Sequence, residues 1–384
     1  MIAPVLVALA ALFSVYTIIL YPVLLALLAK WRERPIRREA ITPTVSVLIA
    51  VRNGGAWLEA KLDSVLSLDY PSGQILDIVV ASDGSTDNTA AIAGRYADRG
   101  VRLLTLPLGG KARAINAALP LLRGEIVFFT DVRQRLEPSC LRRLVSCFAD
   151  PEVGAASGEL VILRGDTLEQ ASVGAYWKYE FWIRTNLSRL DSIFGATGAV
   201  YAMRRSLTAM LPEEALLDDM HQPLGAYFRG YRLVVEAGAI AYDQPSALND
   251  EFRRKVRTLA GNFQILKAYP ALLGPANRMW FHFFSTKLAR LLLPHALLII
   301  VAASFWLPSP WRETLLGGQI LFYGLALADT VLPGRFPLKR LTSPIRVFVV
   351  LMAASFCALS IFFVPVDRLW RSVPAQAGPP AEEA

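Results

Sequence analysis

The chain has 384 residues, 54% of them apolar, and a formal net charge of +8. That length and composition allow one good-sized domain and something extra, and the extra is membrane. The positive charge lies in loops beside apolar stretches, and no aromatic-basic RNA motif accompanies it. It therefore argues for membrane topology and anionic lipid contact and against nucleic acid. Cys140, Cys147 and Cys357 show neither metal-ligand nor CxxC spacing, which speaks against a disulfide framework.

Residues 1–29 contain no charged side chain, a run able to cross ~30 Å of hydrocarbon as a helix. The positive charges follow it, in KWRERPIRR (residues 30–38), so the segment is expected to be a retained anchor and not a cleaved signal. Strand-like and helix-like stretches then alternate. TVSVLIAV (44–51), ILDIVVAS (75–82), VRLLTL (101–106) and EIVFFTD (125–131) are expected strands. AWLEAKLDSVLSL (56–68), TDNTAAIAGRYADRG (86–100), KARAINAALPLLRG (111–124) and PSCLRRLVSCFAD (138–150) are expected helices. Such alternation predicts an α/β domain, with a mostly parallel sheet covered by helices on both faces.

In open α/β sheets ligands sit beyond the carboxyl ends of the strands. Val51 runs into Arg52-Asn53-Gly54-Gly55, Ala81 into Ser82-Asp83-Gly84-Ser85-Thr86-Asp87, and Phe129 into Thr130-Asp131. Taken alone, Asp83 to Asp87 reads equally as a turn and a helix cap. The convergence of the three ends points to a nucleotide pocket. LGGKARAIN (108–116) is not a P-loop, because no glycine lies five residues before Gly110 and Ala112 stands where Ser or Thr is needed. Lys111 at a helix start either meets a phosphate or is simply solvated.

Further along, YWKYEFWIR (176–184) is an aromatic run that lines an acceptor path, lies on the bilayer or packs in a core. FGATGAVYAMRRS (194–206) is rich in small residues, as a tight turn or a close backbone–sugar approach requires. Asp218-Asp219 open a helix, where acidic residues also serve as caps. EFRRKVRTLAGNFQ (251–264) carries a cationic cluster suited either to a leaving diphosphate or to anionic headgroups. NRMWFHFF (277–284) reads as an interfacial helix with an aromatic belt. Apolar stretches follow at 288–307, 314–332 and 345–366; the middle one holds Gly317, Gly318, Gly324 and Asp329. The loop 333–346 brings Arg335, Lys339, Arg340 and Arg346. With positive loops inside, about four spans put both termini outside and residues 30–287 in the cytoplasm. The tail SVPAQAGPPAEEA (372–384) reads as disordered.

In this order the segments resemble the membrane-bound family 2 glycosyltransferases, the synthases of cellulose, hyaluronan and poly-N-acetylglucosamine. The resemblance covers roughly residues 43–265 and rests on VSVLIAVRN, SDGSTDNT, GGKARAIN, FFTD, FGATGA, LLDD with GYR, and the basic run at 253–257. It implies a GT-A-like (Rossmann-like) domain over 43–250 and an inverting transfer from a UDP-sugar. It gives Val51, Asp83, Lys111, Asp131, Arg254 and Arg257 to the nucleotide sugar, with Asp83 on the uracil edge. It makes Asp219 the general base and sets Gly195, Gly198 and Asp218 on the acceptor side. Asp131 stands where the family carries Asp-x-Asp, here Asp131-Val132-Arg133, and is the expected ligand of Mg²⁺ or Mn²⁺. Processive relatives carry Gln-x-x-Arg-Trp where this chain has Arg254-Lys255-Val256-Arg257-Thr258, which puts processive elongation in doubt.

The expected organisation is an anchor at 1–29, a basic linker at 30–42, the catalytic domain at 43–250, interfacial amphipathic helices at 251–287, three spans over 288–366 and a tail at 367–384. The expected place is the inner or plasma membrane, multi-pass, with the catalytic domain cytoplasmic. The expected partners are a UDP-sugar, a glycan or lipid acceptor and the membrane, with export or regulatory subunits unnamed. The rival readings are a non-processive lipid-acceptor enzyme and a non-catalytic nucleotide-binding membrane protein.

Overall fold

The protein is represented by a computed structural model, which describes residues 2–163, 167–245, 247–334, 336–366 and 368. Arg335 and the tail 372–384 lie outside the described residues. The chain divides into two compact units: residues 32–163 with 184–244, and residues 1–31 with 164–183 and 245–373.

The first unit is built on an eight-stranded sheet ordered β3-β2-β1-β4-β7-β6-β8-β5. Its strands are β1 (Val45–Val51), β2 (Ile75–Asp83), β3 (Val101–Leu106), β4 (Ile126–Phe129), β5 (Arg135–Leu136), β6 (Val153–Ile162), β7 (Tyr201–Arg204) and β8 (Arg232–Asp243). β1, β2 and β4 are nearly continuous β-branched and aromatic runs, buried along most of their length, as interior parallel strands must be. The helix Gly55–Leu66 connects β1 to β2 and buries Leu58, Leu62 and Val65, spaced to fall on one face.

β1 to β4 are mutually parallel, with Val51 opposite Ser82 and Leu48 opposite Phe129. The polar ends of β1, β2 and β4 thus share one edge, as the sequence implied. Beyond β4 the expectation of a mostly parallel sheet gives way to a mixed one. β7 runs antiparallel to β4 and β6, and β5 antiparallel to β8, while β6 and β8 are parallel. Two expected helices are also shorter. Pro120, which cannot donate to a helical ladder, leaves an α-helix of Lys111–Ala118 followed by a 3₁₀ turn, Leu119–Leu121. The stretch 86–100 yields Thr89–Gly94 and a 3₁₀ turn, Ala97–Arg99, closed by Gly100 in the left-handed region.

The second unit is helical. Among the described residues, Ile2–Trp31, Trp280–Ser304 and Lys339–Phe362 are long and apolar enough to cross a membrane. The aromatic segment at 280–284 is continuous with the second of these helices. The expected span at 314–332 appears as the helix Trp311–Ala328, which carries Arg312, Glu313 and Gln319 and is not among the three. Asp329, just after it, is buried and accepts hydrogen bonds from the hydroxyls of Thr342 and Ser343. The helix Leu248–Ala268 is amphipathic, and Leu248 packs with Val173 and Val347.

Candidate functional site

The polar knot after β2 stitches strand ends together. Asn53, in the left-handed region, donates its N–H to Ser85 Oγ and accepts the Thr86 N–H on Oδ1. Asp87 accepts the N–H groups of Gly55 and Thr89. Asp83 is 5% exposed, and its carboxylate accepts the N–H of Gly109 at 2.7 Å and of Gly110 at 3.0 Å. That grip shapes the turn directly before Lys111, the first residue of the helix Lys111–Ala118. Further along the same helix, Asn116 exchanges two hydrogen bonds with the backbone of Leu211, on the segment that leads to Asp218 and Asp219.

Lys111 is the centre of the site. Its Nζ lies 2.8 Å from Asp131 Oδ1 and 3.0 Å from Asp218 Oδ2. Burial pulls the ammonium pKa down, but Asp131, Asp218 and Asp219 more than compensate and hold it above the usual lysine value. Asp131 follows β4, and the preceding residue fixes that end. The Thr130 hydroxyl donates to the Ala199 carbonyl at 2.7 Å and accepts from Lys61 Nζ at 2.8 Å.

Asp218 and Asp219 start the helix Asp218–Phe228. Asp219 Oδ2 accepts the Gly198 N–H at 3.2 Å, and its carbonyl accepts the Ala196 N–H at 2.7 Å. A methyl group on Gly198 would lie 3.1 Å from Asp131 Oδ2 and 3.4 Å from Asp219 Oδ2, and one on Gly195 would strike Met220 Cγ at 2.4 Å. The small residues therefore admit carboxylates and a neighbouring helix to close range. Burial, then the Asp218 charge, pushes the Asp219 carboxyl up to about 6, against the pull of Lys111. A half-buried carboxylate with that affinity for a proton is suited to accept one near neutral pH.

Of the residues singled out from sequence, Lys111, Asp131, Asp218, Asp219, Gly195 and Gly198 are brought together. Asp83 reaches the group through the Gly109–Gly110 turn, and Val51 sits buried at the end of β1. Arg254 and Arg257 belong to the helical unit, where Arg254 pairs with Glu251. Arg133, next but one to Asp131, pairs with Asp243.

Other residues were not anticipated. Lys61 is 1% exposed, and burial pulls its amine down to about 7 against the influence of Asp131, Cys140 and Asp243. A lysine on the apolar stripe of Leu58, Leu62 and Val65 is the sequence signal that marks it. Arg184 donates to Thr197 Oγ1, to Ser157 Oγ at 2.9 Å and to the Gly195 carbonyl at 3.1 Å, buttressing the small-residue segment. Tyr201 stacks on Phe129 with ring centroids 4.6 Å apart. Its buried hydroxyl has no hydrogen-bond partner among the described residues. Burial, then Asp218, Asp219 and Asp131, keeps that hydroxyl protonated well beyond its usual range.

A divalent cation on a diphosphate needs only one or two protein carboxylates, since phosphate oxygens and water complete its shell. Asp131 supplies one such carboxylate, and its side chain is 37% exposed. No group of three or more His, Cys, Asp or Glu side chains among the described residues forms a cage. The donor set fits a cation that arrives with the diphosphate.

A mixed α/β sheet with carboxylates gathered at the ends of its parallel strands is the GT-A-like fold of glycosyltransferases. Residues 46–210 match the family described as Glycosyl transferase family 2, and the chain carries that domain. A β-monoglucosyldiacylglycerol synthase from Nostoc sp. is 27% identical over 187 residues, 46% of this chain and 40% of the synthase. The chain thus spans less than half of that relative's length. An N-acetylglucosaminyltransferase from Rhizobium meliloti is 27% identical over 350 residues, 83% of this chain and 80% of that protein. Among solved structures, a mannosyltransferase from Pyrobaculum calidifontis in complex with GDP-Man and Mn²⁺ superposes with a TM-score of 0.71 at 23% identity. The match covers 96% of this chain and 99% of that one, a likeness of fold.

Proposed function

We propose that this protein is an inverting glycosyltransferase that moves a sugar from a UDP-sugar to a glycan or lipid acceptor held at the inner or plasma membrane. The observation that carries the reading is the convergence of Asp131, Asp218 and Asp219 on Lys111, with the Asp219 carboxyl tuned upward. In the proposed reaction Asp219 takes the proton of the acceptor hydroxyl. The acceptor oxygen attacks the anomeric carbon from the face opposite the diphosphate, and the bond from that carbon to the diphosphate oxygen breaks. The leaving group departs with the electron pair as UDP. Lys111 lends positive charge to the departing diphosphate, and Arg254 and Arg257 are assigned the same task. Asp131 would hold Mg²⁺ or Mn²⁺, which supplies further charge neutralisation on the diphosphate. Asp83 is assigned to the uracil edge through its role in shaping the neighbouring turn.

The membrane placement is supported by three long apolar helices whose large side chains stay exposed, such as Ile2, Leu9 and Leu12 on the first. The helix Trp311–Ala328 is assigned as a fourth span, with residues 30–287 cytoplasmic and 251–287 at the interface. A lipid acceptor is favoured by the likeness to the Nostoc β-monoglucosyldiacylglycerol synthase. Single transfer is favoured by Thr258, whose hydroxyl turns back onto the Arg254 carbonyl of its own helix where processive relatives present a tryptophan ring.

The test is a panel of UDP- and GDP-sugars offered to purified protein with membrane-lipid acceptors, with Mg²⁺, Mn²⁺ or chelator. Release of UDP coupled to one glycolipid product supports the reading, and a ladder of lengths moves it to a polymerase. Nucleotide binding with no sugar transferred from any donor overturns it in favour of a sensing or assembly protein.

A further inference from the structure

The helical unit contains a second cluster of charged groups, of which only Arg254 has a part assigned in the reaction above. Glu180, on the helix Leu168–Leu190, pairs with Arg290 on the helix Ala289–Ser304. Glu251 is 0% exposed and pairs with Arg254, and its other oxygen faces Lys255 Nζ at 4.0 Å. Lys255 Nζ lies 3.1 Å from the Tyr176 hydroxyl, 4.4 Å from the Tyr176 ring centroid and 4.6 Å from that of Trp177. Arg254 stands over the Trp177 ring at 5.5 Å from its centroid, and Arg290 over the Tyr179 ring at 5.5 Å. Lys287 adds its charge to the field at Glu180. Among the described residues four cationic side chains thus stand near two carboxylates and three aromatic rings.

Glu251 Oε1 is a buried acceptor with no hydrogen-bond donor among the described residues, and two donors of the cluster lack acceptors. Trp177 Nε1 is buried and has no acceptor among the described residues. Arg290 Nη2, the nitrogen not turned to Glu180, is likewise buried without one. Buried donors without acceptors are costly and rare in native structures. An oxyanion would offer an acceptor to such a donor and offset positive charge. Burial, joined by Arg254 and Arg290, holds the Lys255 pKa below its usual value, the condition that a bound anion relieves.

The position of the cluster names the source of the anion. Lys287 and Arg290 stand at the start of an apolar run, and from Leu291 to Leu307 there is no Asp, Glu, Lys or Arg. They belong to a helix long and apolar enough to cross a bilayer. Basic groups at that point of a span meet lipid headgroups, and basic pockets between such helices hold phosphate-bearing lipids.

We propose that Trp177 Nε1, Lys255 and Arg290 form a binding site for the phosphate group of an anionic lipid. The site rests on reading Trp280–Ser304 as a bilayer-crossing helix, and it does not depend on the transfer reaction.

The test uses the full chain in uncharged detergent, titrated separately with a short-chain phosphatidic acid, the matching diacylglycerol, inorganic phosphate and UDP. Phosphatidic acid should bind and raise the melting temperature, and diacylglycerol should not. Trp177→Phe keeps the ring and removes one donor, and Lys255→Gln removes one charge. Each should weaken phosphatidic acid by about tenfold, the size expected for a lost charge-assisted hydrogen bond, and leave UDP affinity unchanged. Arg290→Gln strands Glu180 and is informative only beside the Glu180→Gln/Arg290→Gln pair. Unaltered phosphatidic acid affinity in well-folded Trp177→Phe overturns the site. Equal binding of diacylglycerol overturns it as well. Inorganic phosphate bound as tightly as the lipid, or a loss of UDP affinity in Trp177→Phe, assigns the cluster to a soluble phosphate and overturns the lipid.

Discussion

The two charged clusters of this protein are near opposites. In the α/β unit three carboxylates surround one ammonium; in the helical unit four cations surround two carboxylates. Partly buried charge of one sign is expensive unless something neutralises it. The surplus therefore describes the missing species. The acidic cluster is suited to receive a proton or a cation, and the basic cluster is suited to receive an oxyanion. The difference also shows in titration. Burial, then the Asp218 charge, pushes the Asp219 carboxyl up to about 6, whereas Arg290, Lys255 and Lys287 overcome burial and hold Glu180 down at about 2.

The contrast breaks most sharply at Asp219. Asp219→Asn should lower sugar transfer by roughly 10²–10⁴-fold, the usual contribution of a positioned base, with nucleotide-sugar affinity nearly unchanged. Wild-type turnover with verified donor binding would remove Asp219 from the chemistry. Lys111→Gln removes the cation that Asp131, Asp218 and Asp219 share. It should cost about 10²-fold in transfer and lower the melting temperature, because breaking a buried pair strands its partners. Retention of both activity and melting temperature would show that Lys111 is a passive neighbour.

A finer test concerns pH. In the proposed reaction transfer requires ionised Asp219, so kcat/KM should fall as pH drops through about 6. Removing the Asp218 charge favours ionisation of its neighbour. Asp218→Asn should therefore move that acid limb downward by about one pH unit. A limb that stays in place would mean that burial alone sets it.

The smallest effect concerns Lys61. Its folded-state pKa, about 7, lies below the ordinary lysine value. Between the two, the unfolded chain holds a proton that the folded one lacks, so stability rises with pH across that window. Below about 7 both states are protonated and the penalty is fully present. Lys61→Met should flatten the rise in melting temperature between neutral and strongly alkaline pH. An unchanged slope would assign it to other groups.

Much of the parallel half of the sheet was legible, because β1, β2 and β4 are largely apolar runs that stop at polar residues. The antiparallel half was not. β7 is only the four residues Tyr201–Arg204, too short for a period to declare itself, and its direction is set by pairing with Phe129 across the sheet. Asp131, Asp218 and Asp219 were named from motifs, yet no motif says that one lysine ties two of them. Lys61 was visible as a lysine on an apolar helix face, but its hydroxyl partner lies 69 residues away.

The sequence by itself determined the elements whose information is local: strand ends, apolar helices, and the kinds of side chain offered at each turn. Only the tertiary structure decided which charges meet, because Lys111 with Asp218, and Glu180 with Arg290, are joined across more than a hundred residues of chain. A carboxyl's proton affinity depends on the charges within a few ångströms of it, and that neighbourhood exists only once the chain has folded.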